Sequence, residues 1–151
     1  MKVSKFIHLH GTLVMTVRPD NTLVETARRF SQPTGGRKFS LAVVCDGAEQ
    51  VKGVVSLGDI TNALARHGEK AASMLVRDIM TTDVSTCGPE DNVEDVLESM
   101  AKRGIRHVPV VDNDKLAGLL ARRDALEFLY QQASLDVEQL SDWLFVSEAR
   151  Y

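Results

Sequence analysis

The chain has 151 residues, of which 44% are hydrophobic and 26% are charged, and its formal net charge is −3. These values predict one compact globular domain and exclude a strongly basic chain drawn as a whole to nucleic acid or anionic lipid. Aromatic residues make up only 5%, too few for a base-stacking platform. No apolar run approaches the ~20 residues that span a bilayer, and the N-terminus lacks an uninterrupted signal-peptide core. We therefore expect a cytoplasmic protein with no membrane or nucleic-acid partner.

The N-terminal segment and the cysteines give no sign of a metal site or a disulfide framework. His8 and His10 alternate along a segment that we predict to be a strand, but no nearby cysteine or carboxylate completes a metal site. Cys45 and Cys87 each lie among apolar residues, where a small buried hydrophobe is expected in a reducing compartment.

The first half of the chain predicts the order strand, helix, strand, strand, helix. The first helix is expected to begin at a capping box made by Thr22 and Glu25, with Phe30 on its inward face. The five predicted elements are Val14–Val17, Thr22–Phe30, Phe39–Cys45, Val51–Val55 and Leu57–Arg66.

The second half repeats this order. Asn92 begins its first helix, Gly104 ends it, and a turn at Asn113 joins two apolar strands. The predicted elements are Val84–Cys87, Asn92–Gly104, His107–Val111, Leu116–Leu120 and Arg122–Gln131. Gly68–Arg77 connects the halves, and Val76–Thr81 should cross beside the first one.

The duplication determines the expected fold. A unit of ~60 residues buries too little surface to be stable alone, so the two units should pack sheet to sheet with binding clefts between them. We expect a mixed α+β fold of tandem β-α-β-β-α repeats related by a pseudo-twofold axis, plus a C-terminal helix. The predicted division is 1–70, including an N-terminal strand, then 71–133, then a helical tail at 134–151.

The tail carries Leu135, Leu140, Trp143 and Leu144 at helical spacing. We expect this amphipathic helix to pack within the module or a dimer. The alternative is that it docks on a partner protein.

Several of these segments resemble the cystathionine-beta-synthase (CBS) domain. They are Val76–Thr81, Gly104–Asp112, Gly118–Leu120 and Asp124, and the resemblance covers most of the chain. Two such domains in tandem form a Bateman module, and no further domain is evident, so the chain looks like a stand-alone pair. The resemblance implies a regulatory module that binds adenosyl ligands (AMP, ADP, ATP, NAD or S-adenosylmethionine) between the repeats. It also implies disk-like homodimers and a regulated partner protein.

The family's ligand signature is complete in the first repeat, at Gly53–Asp59. The resemblance implies that Ser56 holds a phosphate at the helix start, Asp59 binds the ribose hydroxyls, and Gly58 allows close approach. The alternative is structural, with Ser56 as the helix N-cap and Asp59 as its first-turn acid.

The second repeat departs from the signature because Ala121 replaces the hydroxyl residue, although Asp124 is present. A phosphate would then need another partner, and Arg122 or Arg123 is a candidate. The alternative for both arginines is a solvated basic helix face.

Further candidates precede and flank the strands. Arg106 and His107 come just before Val108, and neighbouring strand residues point to opposite faces, so only one of the pair should face the ligand. His107 would make binding pH-sensitive near its reference pKa of ~6.5; the alternative is a surface arginine and a packed histidine. We take Phe39 and Ser40 as their equivalents in the first repeat, with Arg37 and Lys38 just before them. Candidates for contact with adenine are Leu13, Val14, Thr16, Thr81, Val84 and Thr86.

The sequence therefore predicts a sensor of adenine nucleotides, with AMP, ADP or ATP as ligand and no obligatory cofactor. It shows no nucleophile–base–acid pattern and no Walker-type loop, so we expect no enzyme. The alternative is a ligand-independent dimerisation or docking module.

Overall fold

The computed structural model describes residues 1–11 and 13–148. Its helices and strands, in chain order, are α1 Val3–His10, β1 Thr16–Val17, α2 Leu23–Ser31, β2 Leu41–Cys45, β3 Val51–Ser56, α3 Leu57–His67, α4 Val76–Ile79, α5 Val93–Arg103, β4 His107–Asp112, β5 Lys115–Ala121 and α6 Arg122–Glu148. A 3₁₀ helix at Gly68–Ser73 lies between α3 and α4. The mixed, duplicated architecture is confirmed.

The first half follows the predicted order. Its sheet has the order β1-β2-β3, with β1 parallel to β2 and β2 antiparallel to β3. The capping box at the start of α2 is present, since Thr22 Oγ1 accepts from the Glu25 amide and the Glu25 carboxylate accepts from the Thr22 amide. The core of this half includes Val44 and Val55, both fully buried.

The second half contains a two-stranded antiparallel sheet, β4-β5. The predicted strand at Val84–Cys87 is wrong. Only Cys87 pairs with β4, because its amide donates to the Pro109 carbonyl and its carbonyl accepts from the Val111 amide. The helix that follows is as predicted, with Asn92 as its N-cap and Gly104 in the left-handed conformation at its end.

The segment that precedes each half packs in the core of the other half. Helix α1 packs in the second core, where Val3 and Phe6 are buried, and α4 packs in the first core through Val76. Equivalent backbone hydrogen bonds hold the two segments: Val3 N–H to Asp91 O, Ser4 N–H to Pro89 O, Val93 N–H to Met1 O, and Val76 N–H to Asn21 O, Arg77 N–H to Pro19 O, Leu23 N–H to Met74 O. The pseudo-twofold relation thus includes α1 and α4.

The predicted N-terminal strand is therefore wrong, because residues 3–10 form a helix. Val3, Phe6, Ile7 and His10 follow the i, i+3, i+4, i+7 spacing of a helix face. Burial of Val3 and Phe6 against the second core, with Ile7 packed beside them, stabilises the short helix, which would be marginal in isolation. His10, at the end of this face, is exposed. The prediction that Val76–Thr81 crosses beside the first half is confirmed.

The glycines conserved between the repeats lie where these segments cross the sheets. A Cβ at Gly53 would lie 2.6 Å from the Thr81 carbonyl oxygen, and a Cβ at Gly118 would lie 2.9 Å from Ile7 Cδ1. A side chain at Gly53 would therefore displace the backbone of the crossing segment, whereas one at Gly118 would meet only the end of the Ile7 side chain.

Helix α6 is continuous from Arg122 to Glu148, so the tail is not the separate helix we predicted. Its first turns pack on the second core through Ala125, Phe128 and Leu129. Leu135 and Leu140 are exposed, so for the side chains that the structure describes the tail does not pack on the module, and its packing within a dimer stays a prediction. The side chains of Trp143 and Leu144 lie outside that set. In the described part of the chain, no helix combines the length and apolar character needed to cross a membrane.

Candidate functional site

A cleft of about 260 Å³ lies between the two halves and contains Asp124. The first half contributes the loop before β2 and the start of that strand, and the second half contributes β4, β5 and the first turn of α6. The C-terminal end of α1 closes one side. The lining residues are His10, Gly11, Leu13, Arg37, Lys38, Phe39, Ser40, Leu41, His107, Leu119, Ala121, Arg123 and Asp124.

Asp124 is the acceptor at the centre of this cleft. Its Oδ2 atom lies 3.1 Å from Arg37 Nη2 and 3.3 Å from His10 Nε2. The His10 ring in turn stacks on Phe6, with 4.9 Å between ring centroids. One carboxylate thus joins α6 to a loop of the first half and to α1, through side chains far apart in the sequence.

The lining is rich in groups that bind anions. Asp124 is its one acidic side chain, and it is accompanied by two arginines, a lysine and two histidines, which are Arg37, Arg123, Lys38, His10 and His107. Apolar side chains from both halves form the rest of the wall. The arrangement suits a ligand that has an anionic end, hydroxyl groups able to donate to a carboxylate, and an apolar or aromatic part.

His107 is the titratable group of β4 in this cleft, where it pairs with Ala121 of β5. Burial lowers the pKa of its imidazole, Asp124 acts in the opposite direction, and Arg106 lowers the pKa further. The neutral imidazole is therefore favoured in the ligand-free protein, and an incoming anion would favour the protonated form.

Ser56 and Asp59, the complete signature of the first repeat, form a capping box at the start of α3. The Asp59 amide donates to Ser56 Oγ (3.1 Å) and the Ser56 amide donates to Asp59 Oδ2 (2.8 Å). Asp59 also lines a separate cleft of about 280 Å³ beside Arg66 and Asp78. The structural alternative is thus realised, while a ligand role for Ser56, Asp59 and the exposed Gly58 stays a prediction.

The other predicted residues are dispersed. Arg106 and Arg122 are exposed and are not among the residues lining the Asp124 cleft; the Arg106 carbonyl accepts from the Arg122 amide where α6 begins. Thr81 pairs with Val54 through its backbone. Val108 is buried in the second core and borders a third cleft, of about 340 Å³, with Thr86.

The adenine candidates are also divided among the clefts. Leu13 lines the cleft of Asp124. Val14 and Thr16 line a fourth cleft, of about 540 Å³, beside Arg18 and Arg29. The structure thus brings together His107, Arg123, Asp124 and Leu13 of the predicted set.

Sequence reasoning missed His10 as a cleft residue and noted Arg37 and Lys38 only because they precede Phe39 and Ser40. The feature of the sequence that indicates a role for Arg37 and Lys38 is that they form a basic dipeptide just before β2. The predicted equivalence of Phe39 and Ser40 to Arg106 and His107 is also wrong by one residue. The Ser40 carbonyl accepts from Leu57 at the start of α3, just as that of Arg106 does at the start of α6, so the equivalents of Arg106 and His107 are Ser40 and Leu41.

Comparisons with known proteins agree with this architecture. The CBS domain family model matches residues 12–66 and 76–131. The chain is 33% identical to the CBS domain-containing protein YhcV of Bacillus subtilis, over 75% of this chain and 76% of that protein. It is 32% identical to the uncharacterized protein MJ1232 of Methanocaldococcus jannaschii, over 77% of this chain but only 36% of that longer protein.

Solved structures show the same fold. The CBS-domain containing protein ATU1752 from Agrobacterium tumefaciens superposes with a TM-score of 0.73 at 28% identity, covering 84% of this chain and 98% of that one. The CBS domain pair of MJ0100, solved in complex with 5′-methylthioadenosine and S-adenosyl-L-methionine, gives a TM-score of 0.71 at 21% identity, covering 87% of this chain and 98% of that one.

Proposed function

The chain belongs to the CBS domain family, and on that premise we propose that it is a regulatory module that binds an adenine nucleotide in the cleft of Asp124. The observation that carries the proposal is the composition of this cleft, in which both repeats surround one carboxylate with five basic side chains. In this assignment the second repeat, whose signature is incomplete, provides the main site.

Each part of a nucleotide has a partner in the cleft. The Asp124 carboxylate accepts from the ribose hydroxyls, and Arg37, Lys38 and Arg123 bind phosphate oxygens in place of the missing hydroxyl at Ala121. Leu13, Phe39, Leu41 and Leu119 offer an apolar surface for the base.

The excess of basic over acidic side chains in the cleft favours some adenosyl ligands over others. MJ0100 holds neutral and cationic adenosyl compounds, whereas the excess of cations here favours ligands that carry phosphate. We therefore place AMP, ADP and ATP first, NAD next, and S-adenosylmethionine last.

Signalling follows from the position of the cleft between the repeats. In the free protein Arg37 contacts Asp124 directly, and a ligand that binds both side chains separates them. A ligand that fits one relative orientation of the halves better than another shifts the population toward it. A partner protein or a second copy reads that change.

Isothermal titration calorimetry with AMP, ADP, ATP, NAD, S-adenosylmethionine and 5′-methylthioadenosine tests the proposal. We expect Asp124→Ala to weaken binding by ~1.5–3 kcal/mol, the range for hydrogen bonds to a charged group. Glu127→Ala, an exposed acid one turn further along α6, is the matched control. Absence of binding by all six at millimolar concentration would exclude the ligand role, and loss of binding in Asp59→Ala alone would move the site to the first repeat.

A ligand-independent docking module is the second candidate, favoured by the exposed apolar residues of α6. A partner retained equally with and without nucleotide would support it, and deletion of 134–151 should then release the partner. We propose no catalytic role; turnover of a nucleotide by the purified chain would contradict this.

A further inference from the structure

The outer face of α6 carries a continuous apolar stripe that the described part of the chain leaves uncovered. Its members follow alternating steps of four and three residues, and all are exposed: Leu126 (49%), Tyr130 (75%), Ala133, Val137 (66%) and Leu140 (62%). The sequence continues the same steps to Leu144. We call this set, from Leu126 to Leu140, the α6 seam.

The spacing of the seam is that of a two-stranded coiled coil. Steps of four and three average 3.5 residues, the period at which a stripe stays on one side of a supercoiled helix. Leu126, Ala133 and Leu140 occupy d positions, and Tyr130 and Val137 occupy a positions. Leucine at d with a β-branched residue at a favours a pair of helices.

The face of α6 that packs on the module is a different one. Ala125 and Phe128, which pack in the second core, point roughly a quarter turn or more away from the seam at about 100° per residue, and Leu129, which also packs there, lies beside the seam at about 60°. The core therefore fixes the helix and leaves the seam directed outward. An apolar stripe of this extent on a soluble protein marks an interaction surface.

The flanking charges are compatible with a second copy of the same helix. In a parallel, in-register pair, each g position faces the e position five residues later on the other helix. Arg122 then faces Glu127 of the second copy, Leu129 faces Ser134, and Asp136 faces Ser141. One of the three pairs is of opposite charge, and none places like charges together.

We propose that the α6 seam is a homodimerisation surface, with the α6 helices of two copies paired in parallel as a short coiled coil. The proposal does not depend on nucleotide binding. It is also distinct from a disk-like pairing of the module bodies, because the contact runs along α6 alone, from Leu126 to Leu140.

Sedimentation equilibrium or light scattering coupled to gel filtration tests the surface. The wild-type chain should have twice the mass of the 16.6 kDa monomer, and Val137→Glu and Leu140→Glu should each give single chains. The matched control is Leu135→Glu, because Leu135 is also exposed (50%, against 66% for Val137 and 62% for Leu140) but lies on the opposite face of the same helix, and this variant should remain dimeric. A wild-type monomer across a roughly hundredfold concentration range, or a dimer insensitive to both seam variants, would overturn the proposal.

Cysteine cross-linking provides a gain-of-function test that does not rely on disruption. Leu140→Cys should form a disulfide-linked dimer under a copper–phenanthroline oxidant, because paired d positions bring the two Cβ atoms close together. Leu135→Cys should not, and both native cysteines are buried. Cross-linking of Leu135→Cys but not of Leu140→Cys would place the interface on the wrong face of α6 and refute the seam.

Discussion

The guanidinium of Arg37 binds the carboxylate of Asp124 across the cleft, at 3.1 Å between Nη2 and Oδ2. Arg37 belongs to the loop before β2, and Asp124 belongs to the first turn of α6, so the contact joins the two repeats. Their side chains are 50% and 24% exposed. Partly solvated pairs of this kind contribute at most ~1 kcal/mol to folding, which makes the contact suitable for exchange with a ligand.

This pair gives a prediction that separates phosphate recognition from ribose recognition. Arg37→Ala should lower affinity for ATP by roughly tenfold or more, as expected for a lost charge-assisted bond, with little effect on adenosine. Asp124→Asn should weaken both ligands. Calorimetry with ATP and adenosine measures the two ratios, and urea unfolding should show less than ~1 kcal/mol of change for Arg37→Ala.

Arg122→Ala is the matched control for Arg37→Ala, because Arg122 is basic and exposed but does not line the cleft. It should leave the ratio of ATP to adenosine affinity unchanged. An equal loss of ATP affinity in both variants would mean that general positive charge, not the Arg37 contact, attracts the phosphate.

His107 predicts a loss of stability at mildly acidic pH. Its pKa in the folded protein is lowered, chiefly by burial, so the unfolded chain binds the proton more readily. The free energy of unfolding should therefore not depend on His107 above the pKa of ~6.5 that this residue has in the unfolded chain. It should decrease as the pH falls below ~6.5 toward the lower pKa of His107 in the folded protein. Urea midpoints at pH 7.5 and pH 5.5 should differ less in His107→Gln than in wild type; an identical pH dependence would show that His107 is not the group responsible.

The same linkage predicts that binding of a phosphorylated ligand takes up a proton. An anion beside His107 favours the imidazolium, so affinity should rise as pH falls through the titration range. His10 and Asp124 face the same cleft, and His107→Gln must therefore be compared with His10→Gln. Calorimetry in buffers of different ionisation enthalpy counts the protons, and proton uptake that persists in full in His107→Gln would contradict the prediction.

The cysteines should be inert in the folded protein. Burial raises the pKa of Cys87 to about 12, with Asp91 adding to the effect, and burial followed by Asp46 raises the pKa of Cys45. Since the thiolate is the reactive form, iodoacetamide at pH 8 should modify neither thiol until urea unfolds the chain. Rapid labelling of Cys87 in the native protein, followed by mass spectrometry, would show that its backbone pairing with β4 opens.

Patterns within one element predicted most of the fold. The capping box at Thr22 and the apolar periods of β2, β4 and α5 are local properties, and the predicted order of elements is confirmed for the first half and for the last four elements of the second half. Helix α1 was not predicted because residues 3–10 on their own do not reveal their similarity to the segment that precedes the second half. Met1-x-Val3 is the counterpart of Met74-x-Val76, and their equivalent backbone bonds are evident only when the two preceding segments are compared.

The cleft was harder to predict, since it depends on which long-range contacts the packing of the halves produces. A motif identifies Asp124, but nothing local states that Arg37 and His10 meet its carboxylate. For Ser56 and Asp59, one local pattern serves both a helix cap and a ligand signature, and so the motif alone does not separate the two. For α6, the sequence indicates an apolar face, but only the folded structure shows that this face remains exposed.

Gly53 and Gly118 occupy equivalent places in the two repeats, but their replacement should have unequal effects. A Cβ at Gly53 meets the carbonyl oxygen of Thr81 at 2.6 Å, and that oxygen accepts from the Val54 amide, so Gly53→Ala must displace hydrogen-bonded backbone. At Gly118 the Cβ meets Ile7 Cδ1 at 2.9 Å, which is the end of a partly buried side chain and not backbone. We expect Gly53→Ala to destabilise by ~1–3 kcal/mol or more, and Gly118→Ala by less than ~1.5 kcal/mol.

Gly58→Ala is the control for these two variants, because its Cβ would lie 3.6 Å from Ser56 Oγ, an ordinary contact in the first turn of α3. It should be neutral or stabilising by up to ~1 kcal/mol, as alanine favours a helix over glycine. Urea unfolding measures the free energy of unfolding of the three variants. Equal losses of this free energy in Gly53→Ala and Gly118→Ala would contradict the predicted difference between the two crossing segments. If Gly58→Ala folds normally yet loses nucleotide affinity, a ligand approaches the first repeat closely at that glycine, as its signature implies.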